Sequence, residues 1–362
     1  MSKYTLENYE PALRRQVVHM DQALCYCPEF RATHMMNQYP SRRLQLARAI
    51  WLDEIAISDY AGEVNFKGIL SRQGERWQNF GENPEDCTDA TILSRAMLLA
   101  KGYDSPEVKA FRAARTGTCN AKKWDLPHFP ESKMAIFVDS DTDKIDGAEA
   151  AFKAYCDANG IAFANDATIG CLGFGYFAHG LVEEGTDKVK AVVEAYNAMG
   201  VEKVMVLSAK SAYMFRTFAK KLDIDVKFEV VYLPEILAPI TVEKRTYVYA
   251  GSFNLRYLCN SEMINELIPS EDDNQIPACA EFTPILEGKT RANRLTIWQK
   301  PVAAEYTMYA ADEKMLEAIK ADAVHDIKEA KPEQIVVFEP TAYKILKEAL
   351  PEVEIKYYLD LI

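Results

Sequence analysis

The chain has 362 residues, of which 49% are hydrophobic and 27% are charged, and its formal net charge at pH 7 is −12. This composition is typical of a globular protein with two or three domains, and the negative charge disfavours binding to nucleic acid or anionic lipid. No apolar run approaches the roughly 20 residues that span a bilayer, and the first residues lack the apolar stretch of a secretory signal. We therefore expect a cytoplasmic protein without a direct membrane span.

The first 125 residues are predicted to be mostly helical. Apolar residues recur at helical spacing in "ENYEPALRRQVVHM", "SRRLQLARAIWLDEIAI" and "DATILSRAMLLAKG". Asp89 is a candidate N-cap for the third of these helices, and Gly102 is a candidate stop. A fourth helix, "PEVKAFRAAR", begins at Pro106. The segment after it, "TGTCNAKKWDLPHFPES", is predicted to be an irregular linker.

From residue 133 onward, predicted strands alternate with predicted helices. The strands are "KMAIFV", "KVMVL", "KFEVVYL", "TYVYA", "RLTIW", "QIVVF" and "VEIKYYL". The helices are "IDGAEAAFKAYCDANG", "EEGTDKVKAVVEAYNAMG", "AYMFRTFAKKL", "ADEKMLEAIKADAVHDIKEA" and "AYKILKEAL". This alternation is typical of an α/β fold with mainly parallel, helix-covered sheets.

Two passages in this second part are similar to each other. "EKVMVLSAKSAYMF" aligns with "PEQIVVFEPTAYKIL" at an offset of 130 residues, with Tyr213 opposite Tyr343, and each passage is followed by a strand that ends in Tyr-Leu. We interpret this similarity as a tandem duplication of an α/β module. The predicted domains are therefore a helical domain over 1–125, a first module over 126–240 and a second module over 241–362.

The segment "TIGCLGFGY", residues 168–176, is a glycine-rich loop around Cys171. Gly173, Gly175 and Ala178 satisfy the G-x-G-x-x-A pattern of a dinucleotide-binding loop. The segment before the loop is short and polar, however, whereas the pattern requires a buried strand there. A nucleotide-binding module that uses Gly173 and Gly175 therefore stays as an alternative function, and it predicts stabilisation by an adenine nucleotide.

The eight cysteines do not form a complete set of four metal-binding thiolates by local spacing. Cys25 and Cys27 are the one closely spaced pair, as C-x-C, and C-x-x-C does not occur in the sequence. Zinc sites and iron–sulfur clusters in proteins usually require four such ligands. The simplest interpretation is that the cysteines are thiols that pack as small apolar side chains. His179, eight residues after Cys171, is interpreted as a structural side chain.

Several short motifs recur at matching places along the chain. In the first module, "CLG" at 171–173 precedes "AKSAY" at 209–213, and in the second module "GSFNLRY" precedes "EPTAY" at 339–343. Near the N-terminus, Cys27 is followed by proline, and "EDCTDA" contains Cys87.

With these motifs, nearly the whole chain resembles the iron–sulfur subunits of the heterodisulfide reductase, glycolate oxidase, lactate-utilisation and anaerobic glycerol-3-phosphate dehydrogenase group. The resemblance implies a helical domain derived from a ferredoxin-like domain, followed by two tandem cysteine-rich modules of the "CCG" type. In that family the modules and the ferredoxin-like domain carry many cysteine ligands. Here most of the matching positions have lost the cysteine, and the replacements in the two modules are Ser140, Ala209, Ala212, Phe253, Glu339 and Ala342, with Asn254 in place of a histidine.

The resemblance therefore implies a subunit that has lost most of its iron–sulfur ligands. The expected function is that of a non-catalytic, structural or docking subunit of a heterodisulfide-reductase-like redox complex, with no cofactor of its own. Its expected partners are flavoprotein or iron–sulfur subunits, in the cytoplasm or at the periphery of a membrane complex. The alternative is an electron-transfer oxidoreductase subunit with one residual 4Fe–4S cluster, whose candidate ligands are Cys25, Cys27, Cys87 and Cys171.

Overall fold

The computed structural model describes residues 3–14, 27–74, 85–114, 122–269, 295, 298–302 and 312–362. The protein is a mixed α/β protein whose sheets are mainly parallel, which confirms the predicted fold class at this level. The chain divides into two compact units. Unit 1 consists of Met1–Thr118, Gly173–Asp187 and Lys300–Ala323, and unit 2 consists of Cys119–Leu172, Lys188–Gln299 and Val324–Ile362. The three domains over 1–125, 126–240 and 241–362 stay a prediction.

The helices of the described residues account for most of the predicted helical segments. In chain order they are α1 (Glu10–Arg14), α2 (Pro28–Thr33), α3 (Pro40–Trp51), α4 (Asp59–Phe66), α5 (Glu85–Ala100), α6 (Pro106–Ala113), α7 (Ala148–Asn159), α8 (Phe174–Ala178), α9 (Val182–Met199), α10 (Ala209–Tyr213), α11 (Ala219–Lys221), α12 (Ser261–Leu267), α13 (Glu313–Glu329) and α14 (Pro340–Ala349). Within the described ranges, no helix is both long enough and apolar enough to cross a bilayer.

Two predictions about the helical part are wrong in detail. The predicted helix "SRRLQLARAIWLDEIAI" is too long, because α3 ends at Trp51. A separate helix, α4, begins at Asp59, and the side chain of Ser58 caps it by accepting a hydrogen bond from the backbone N–H of Ala61. Asp89 is not an N-cap, because α5 begins four residues earlier, at Glu85. The buried Asp89 carboxylate instead accepts a hydrogen bond of 3.0 Å from the hydroxyl of Tyr4.

The core of unit 1 is apolar and draws on several parts of the sequence. Its buried side chains are Ile50, Ala61, Phe66, Leu98, Val108, Phe111 and Leu181. Leu181 follows the glycine-rich loop, so the residues after that loop complete the helical core. Close packing there depends on Gly180, which has a φ of 74° and lies against the backbone of Arg95 and Ala96 in α5.

We expect Gly180→Ala to lower the free energy of unfolding by about 2–3 kcal/mol, because the new methyl group combines strain at positive φ with overlap of the α5 backbone. A Cβ at Gly180 would lie 2.7 Å from the backbone nitrogen of Ala96. The matched control is Gly102→Ala, since Gly102 has a φ of 95° with no atom within 4 Å of an added Cβ. That control should lose only about 1 kcal/mol in urea unfolding. Equal losses in the two variants would contradict the packing argument.

Unit 2 contains two sheets. The strands in chain order are β1 (Lys123–Trp124), β2 (Met134–Asp139), β3 (Ala167–Gly170), β4 (Lys203–Val206), β5 (Glu229–Tyr232), β6 (Thr246–Tyr249), β7 (Gln334–Val337) and β8 (Glu354–Tyr357). The first sheet has the order β1-β3-β2-β4-β5, and the second has the order β6-β7-β8. All pairs are parallel except β1 with β3. The strand β1 lies within the predicted linker, and most of the predicted strand "RLTIW" lies outside the described residues.

The two sheets share a similar arrangement of strands and following helices. β2-β4-β5 and β6-β7-β8 are both parallel rows in which the middle strand leads into a helix, α10 after β4 and α14 after β7. The last strand of each row leads into a 3-10 turn, Leu233–Ile236 or Tyr358–Leu361. A π-helical stretch continues α10 over Met214–Phe218, and another follows β6 over Phe253–Tyr257. A duplication would produce such an arrangement, and the duplication itself stays a prediction.

Candidate functional site

The glycine-rich loop connects β3 to the short helix α8. Gly173 is the N-cap of α8 with a φ of 78°, a conformation that glycine adopts without strain. Gly175 lies inside α8, which has five residues. So short a helix sums few peptide dipoles and offers little attraction to a phosphate. The geometry of this loop therefore adds no support to the nucleotide-binding alternative.

His179 has a structural environment. It follows α8, and its Nδ1 lies 2.7 Å from the carbonyl oxygen of Gly175. The buried ring stacks on Phe111 at a centroid distance of 4.3 Å. These contacts tie the end of α8 to the core of unit 1 and are consistent with the structural interpretation of this histidine.

The candidate cluster ligands lie in different surroundings. Cys25 falls outside the described residues. Cys27 is buried before α2, and its Sγ donates to a carboxylate oxygen of Glu29 at 3.2 Å. Cys87 is buried in the first turn of α5, and Cys171 is half-buried between β3 and α8. Among the residues that the structure describes, no group of three or more His, Cys, Asp or Glu side chains is arranged to hold a metal ion.

The replaced ligand positions of the two modules are found after the carboxyl ends of parallel strands. Ser140 follows β2, Ala209 and Ala212 follow β4, Phe253 follows β6, and Glu339 follows β7. In α/β sheets this edge is where ligands usually bind. Here, however, most of these positions are closed to solvent, with exposed fractions of 0–1% at Ala209, Ala212, Phe253, Asn254, Glu339 and Ala342.

Aromatic rings occupy the space beside these positions. Phe253 packs against Tyr257 at a centroid distance of 4.3 Å, and Tyr213 contacts both of these rings, at 5.7 and 5.0 Å. The loop after β6 also approaches the end of β7 closely, because a Cβ added at Gly251 would lie 2.5 Å from the Cβ of Glu339. The end of the second sheet is therefore packed as a core in this region.

Charged side chains and buried tyrosines at these strand ends make up a set that we call the strand-end cluster: Asp139, Asp141, Lys210, Tyr232, Glu339, Tyr357 and Tyr358. Asp139 fixes the loop after β2, because its carboxylate accepts hydrogen bonds from the backbone N–H groups of Asp141 and Thr142 at 3.1 Å. Asp141 in turn forms an ion pair with Lys210 in the first turn of α10.

Lys210 and Asp141 stay charged in the strand-end cluster. Burial acts against the charge of Lys210, but the attraction of Asp141, Asp139 and Glu339 outweighs it and raises the pKa of the lysine. Burial acts in the same way on Asp141, and there Lys210 and Lys144 hold the pKa below its ordinary value. Since Asp139 ends β2 of the first sheet and Glu339 follows β7 of the second, Lys210 interacts with carboxylates from both sheets.

The tyrosines of the strand-end cluster are completely buried and stay neutral. Burial raises the pKa of Tyr232, Tyr357 and Tyr358, because an ionised phenol would lose its hydration. The hydroxyl of Tyr358 donates to the carbonyl oxygen of Leu207 at 2.7 Å. This hydrogen bond connects the end of β8 to the end of β4, so it ties the two sheets together.

Five members of the strand-end cluster are poorly suited to general acid–base catalysis. General acid–base catalysis works best with a pKa near the working pH, but Lys210, Asp141 and the three tyrosines all have pKa values shifted away from neutrality. A protonated lysine is not a nucleophile, and a neutral tyrosine with a raised pKa resists deprotonation. The arrangement can hold two sheets together through fixed charges and hydrogen bonds.

The replaced ligand positions at these strand ends do not fit an iron–sulfur cluster either. Such clusters bind through thiolates, whereas Ala209, Ala212, Phe253 and Ala342 carry no lone pair. Sequence patterns identified several of these positions but did not identify Lys210, Asp141 and the tyrosines as a group. Their placement just after predicted strands is a signal that could have identified them. Comparison of the chain with family models, curated proteins and solved structures found no match.

Proposed function

We propose that this chain is a non-catalytic, structural or docking subunit of a heterodisulfide-reductase-like redox complex. The observation that carries the proposal is the packing at the strand ends of unit 2. Positions that the resemblance assigns to cluster ligands hold buried alanine and phenylalanine, with Tyr213 and Tyr257 packed beside Phe253. A fold that keeps its core while its ligand positions become apolar is expected to function by binding other proteins through its surface.

Packing energetics support this proposal beyond the loss of the sulfur atoms. An inorganic cluster at the end of the second sheet would have to displace the ring of Phe253 from Tyr213 and Tyr257. Opening a well-packed aromatic core typically costs about 3–5 kcal/mol for each large side chain that is lost. The apolar contacts therefore stabilise the same fold that a cluster would otherwise hold together.

In this proposal the partners are flavoprotein or iron–sulfur subunits that carry the electrons. The chain contributes a rigid body and a binding surface, and the complex works in the cytoplasm or at the periphery of a membrane. The alternative of one residual 4Fe–4S cluster requires Cys25, Cys27, Cys87 and Cys171 to form one ligand set. No observation in the described part of the chain favours that set over the structural proposal.

Iron and acid-labile sulfide analysis of the anaerobically purified chain tests the proposal. We expect both to be near zero per chain, since the replaced ligand positions at the strand ends offer no thiolates. A known ferredoxin purified in parallel is the control, because it shows that the procedure retains clusters. About four irons and four sulfides per chain would contradict the proposal and support an electron-transfer subunit with one 4Fe–4S cluster.

Purification of the tagged chain from its native source tests the docking role. We expect the chain to elute in a stable complex with flavoprotein or iron–sulfur subunits at constant stoichiometry. Elution of the chain alone, from extracts in which related redox complexes remain intact, would overturn the proposal. This measurement also separates a subunit of a complex from a protein that works alone.

A further inference from the structure

A pocket of about 380 Å³ lies between helices α2 and α13 in unit 1. Its walls are mostly apolar and are formed by Pro28, Phe30, Ala32, Ala318 and Ile319. The polar lining residues are Arg31, His34 and Asp322. Small-molecule sites are typically pockets of this size, with apolar walls and a few polar groups that orient the ligand.

Arg31, Asp322 and Lys300 form the polar end of the pocket. The guanidinium of Arg31 donates two hydrogen bonds of 2.8 Å to the carboxylate of Asp322, and the ammonium of Lys300 donates to the same carboxylate at 3.0 Å. Burial acts against the charge of Asp322, but the hydrogen bonds from Arg31 and Lys300 outweigh it and keep the pKa of this carboxyl below its ordinary value. These three side chains therefore carry two positive charges and one negative charge.

The other described charges of the two helices do not reverse this balance. A carboxylate on each helix pairs with a cation of its own, Glu29 with Arg43 and Glu317 with Lys320. Asp312 and the first residues of α13 precede Asp322 by about 15 Å along the helix axis. That distance exceeds the screening length of about 8 Å in physiological salt. Among the described side chains, this end of the pocket is therefore net positive.

His34 adds a hydrogen-bonding group to the lining. It follows α2 with a φ of 55°, and its ring meets the ring of Phe30 edge-on at a centroid distance of 6.3 Å. The imidazole is exposed, so it can donate a hydrogen bond to an oxygen atom of a ligand. The pocket thus combines apolar walls with a positive end and an imidazole.

This lining discriminates between classes of ligand. A divalent cation needs about six oxygen ligands, whereas Asp322 is the one carboxylate among the described lining residues and already accepts hydrogen bonds from two cations. An organic amine would meet the positive charges of Arg31 and Lys300. An anion with an apolar body matches both the walls and the charge.

From these contacts we infer that the pocket between α2 and α13 binds a small organic acid whose apolar part is about the size of one aromatic ring. The apolar part packs against Phe30 and Ile319, and the acid group lies toward Arg31 and His34. This binding site goes beyond the proposed docking role and does not depend on it.

A ligand-observed NMR titration of the full-length chain tests the inference. The probes are phenylacetate, the neutral 2-phenylethanol and the cationic 2-phenylethylamine, which share one ring and one chain length. The pocket-filling variant is Ala318→Phe. Its matched control is Ala321→Phe, which makes the same change at an exposed position of the same helix. Thermal unfolding first establishes that both variants are folded.

We expect phenylacetate to bind with a dissociation constant of about 0.1–1 mM, which is in the range for a ligand of about ten non-hydrogen atoms. It should bind about fivefold more tightly than 2-phenylethanol, because the pocket end is positive. Ala318→Phe should weaken this binding about tenfold or more, since the new ring takes the space of the ligand, and Ala321→Phe should leave it unchanged. Lys300→Met should remove the preference for the acid.

A diazirine derivative of phenylacetate gives a second test in the wild-type chain, which does not depend on the folding of any variant. Photolabelled peptides should come from α2 and the first half of α13. Four results would each overturn the inference: no binding up to about 10 mM, labels confined to other segments, equal binding by Ala318→Phe and Ala321→Phe, or an amine that binds as tightly as the acid. None of these results bears on the docking role, which iron analysis and purification of the complex test separately.

Discussion

Raising the pH above about 10 is expected to unfold the protein cooperatively, with the buried tyrosines ionising only as the fold opens. Tyr232, Tyr247, Tyr357 and Tyr358 are buried, and burial raises the pKa of each. The pKa of Lys210 is also raised, because nearby carboxylates outweigh its burial. The folded state therefore keeps protons that the unfolded chain releases.

The direction in which stability changes with pH follows from this difference in bound protons. Below the unfolded pKa values, about 10 for tyrosine and 10.4 for lysine, these groups contribute their full stabilisation. As the pH rises past those values toward the raised pKa of the folded state, each group removes about 1.4 kcal/mol of stability per pH unit. Several such groups together exceed the usual stability of a domain within one or two pH units.

Absorbance at 295 nm and far-ultraviolet circular dichroism, followed together during an alkaline titration, measure this effect. We expect the absorbance to show a steep step from the buried tyrosines that coincides with loss of secondary structure. Complete ionisation of the tyrosines near pH 10 while the circular dichroism stays native would contradict the burial argument.

Replacing Arg95 by methionine is expected to lower the free energy of unfolding by about 3–5 kcal/mol, because it leaves several buried carbonyl groups without their donor. Arg95 is completely buried in α5. Its Nε donates to the carbonyl oxygen of Asn65 at 2.9 Å and its Nη2 to that of Gly68 at 2.7 Å, while Nη1 donates to the carbonyl of Ala178. One side chain thus joins α5 to the end of α4 and to α8.

Urea unfolding of Arg95→Met beside Arg112→Met gives the measurement. The control makes the same chemical change at an arginine whose side chain is 57% exposed and pairs with Glu184 on the surface. Its loss should stay within about 0.5–1 kcal/mol. A loss below about 1 kcal/mol for Arg95→Met would show that water or other groups satisfy the carbonyls, and that this arginine does not hold the three helices together.

Local sequence signals predicted most of the α/β part of this fold. Strands such as "KMAIFV" and "QIVVF" are continuous apolar runs, which is typical of strands in parallel sheets. Gly160 and Gly200 end their helices as predicted, each with positive φ. These features depend on a few neighbouring residues, so periodicity and helix-stop signals are sufficient to find them.

The helical part was less predictable because packing decides its elements. Helix α4 contains Gly62 and Asn65, which are poor helix formers. Burial of Val64 and Phe66, together with the cap at Ser58, makes the segment helical. In the same way, the helical period of α5 could not show where that helix begins, and Asp89 was wrongly taken for its cap.

The candidate site shows the same division between local and long-range information. Asp139 and Asp141 follow a predicted strand, so their place at the edge of a sheet could be read from the sequence. The contact of Tyr358 with Leu207 joins residues that are 151 positions apart. No local pattern contains that pairing, and it is the pairing that turns separate strand ends into one cluster.

The interleaving of the two units has a consequence for biosynthesis. Unit 1 is built from stretches that include residues both before and after most of unit 2, and Ile69 packs with Met315 and Ile319 in one of its apolar clusters. A ribosome must therefore release the whole first sheet and β6 of the second sheet before Ile69 can meet these partners. Until then the nascent helices keep an unfilled apolar surface, the kind of surface that chaperones protect. For the same reason, neither unit can be excised or transplanted as one contiguous cassette.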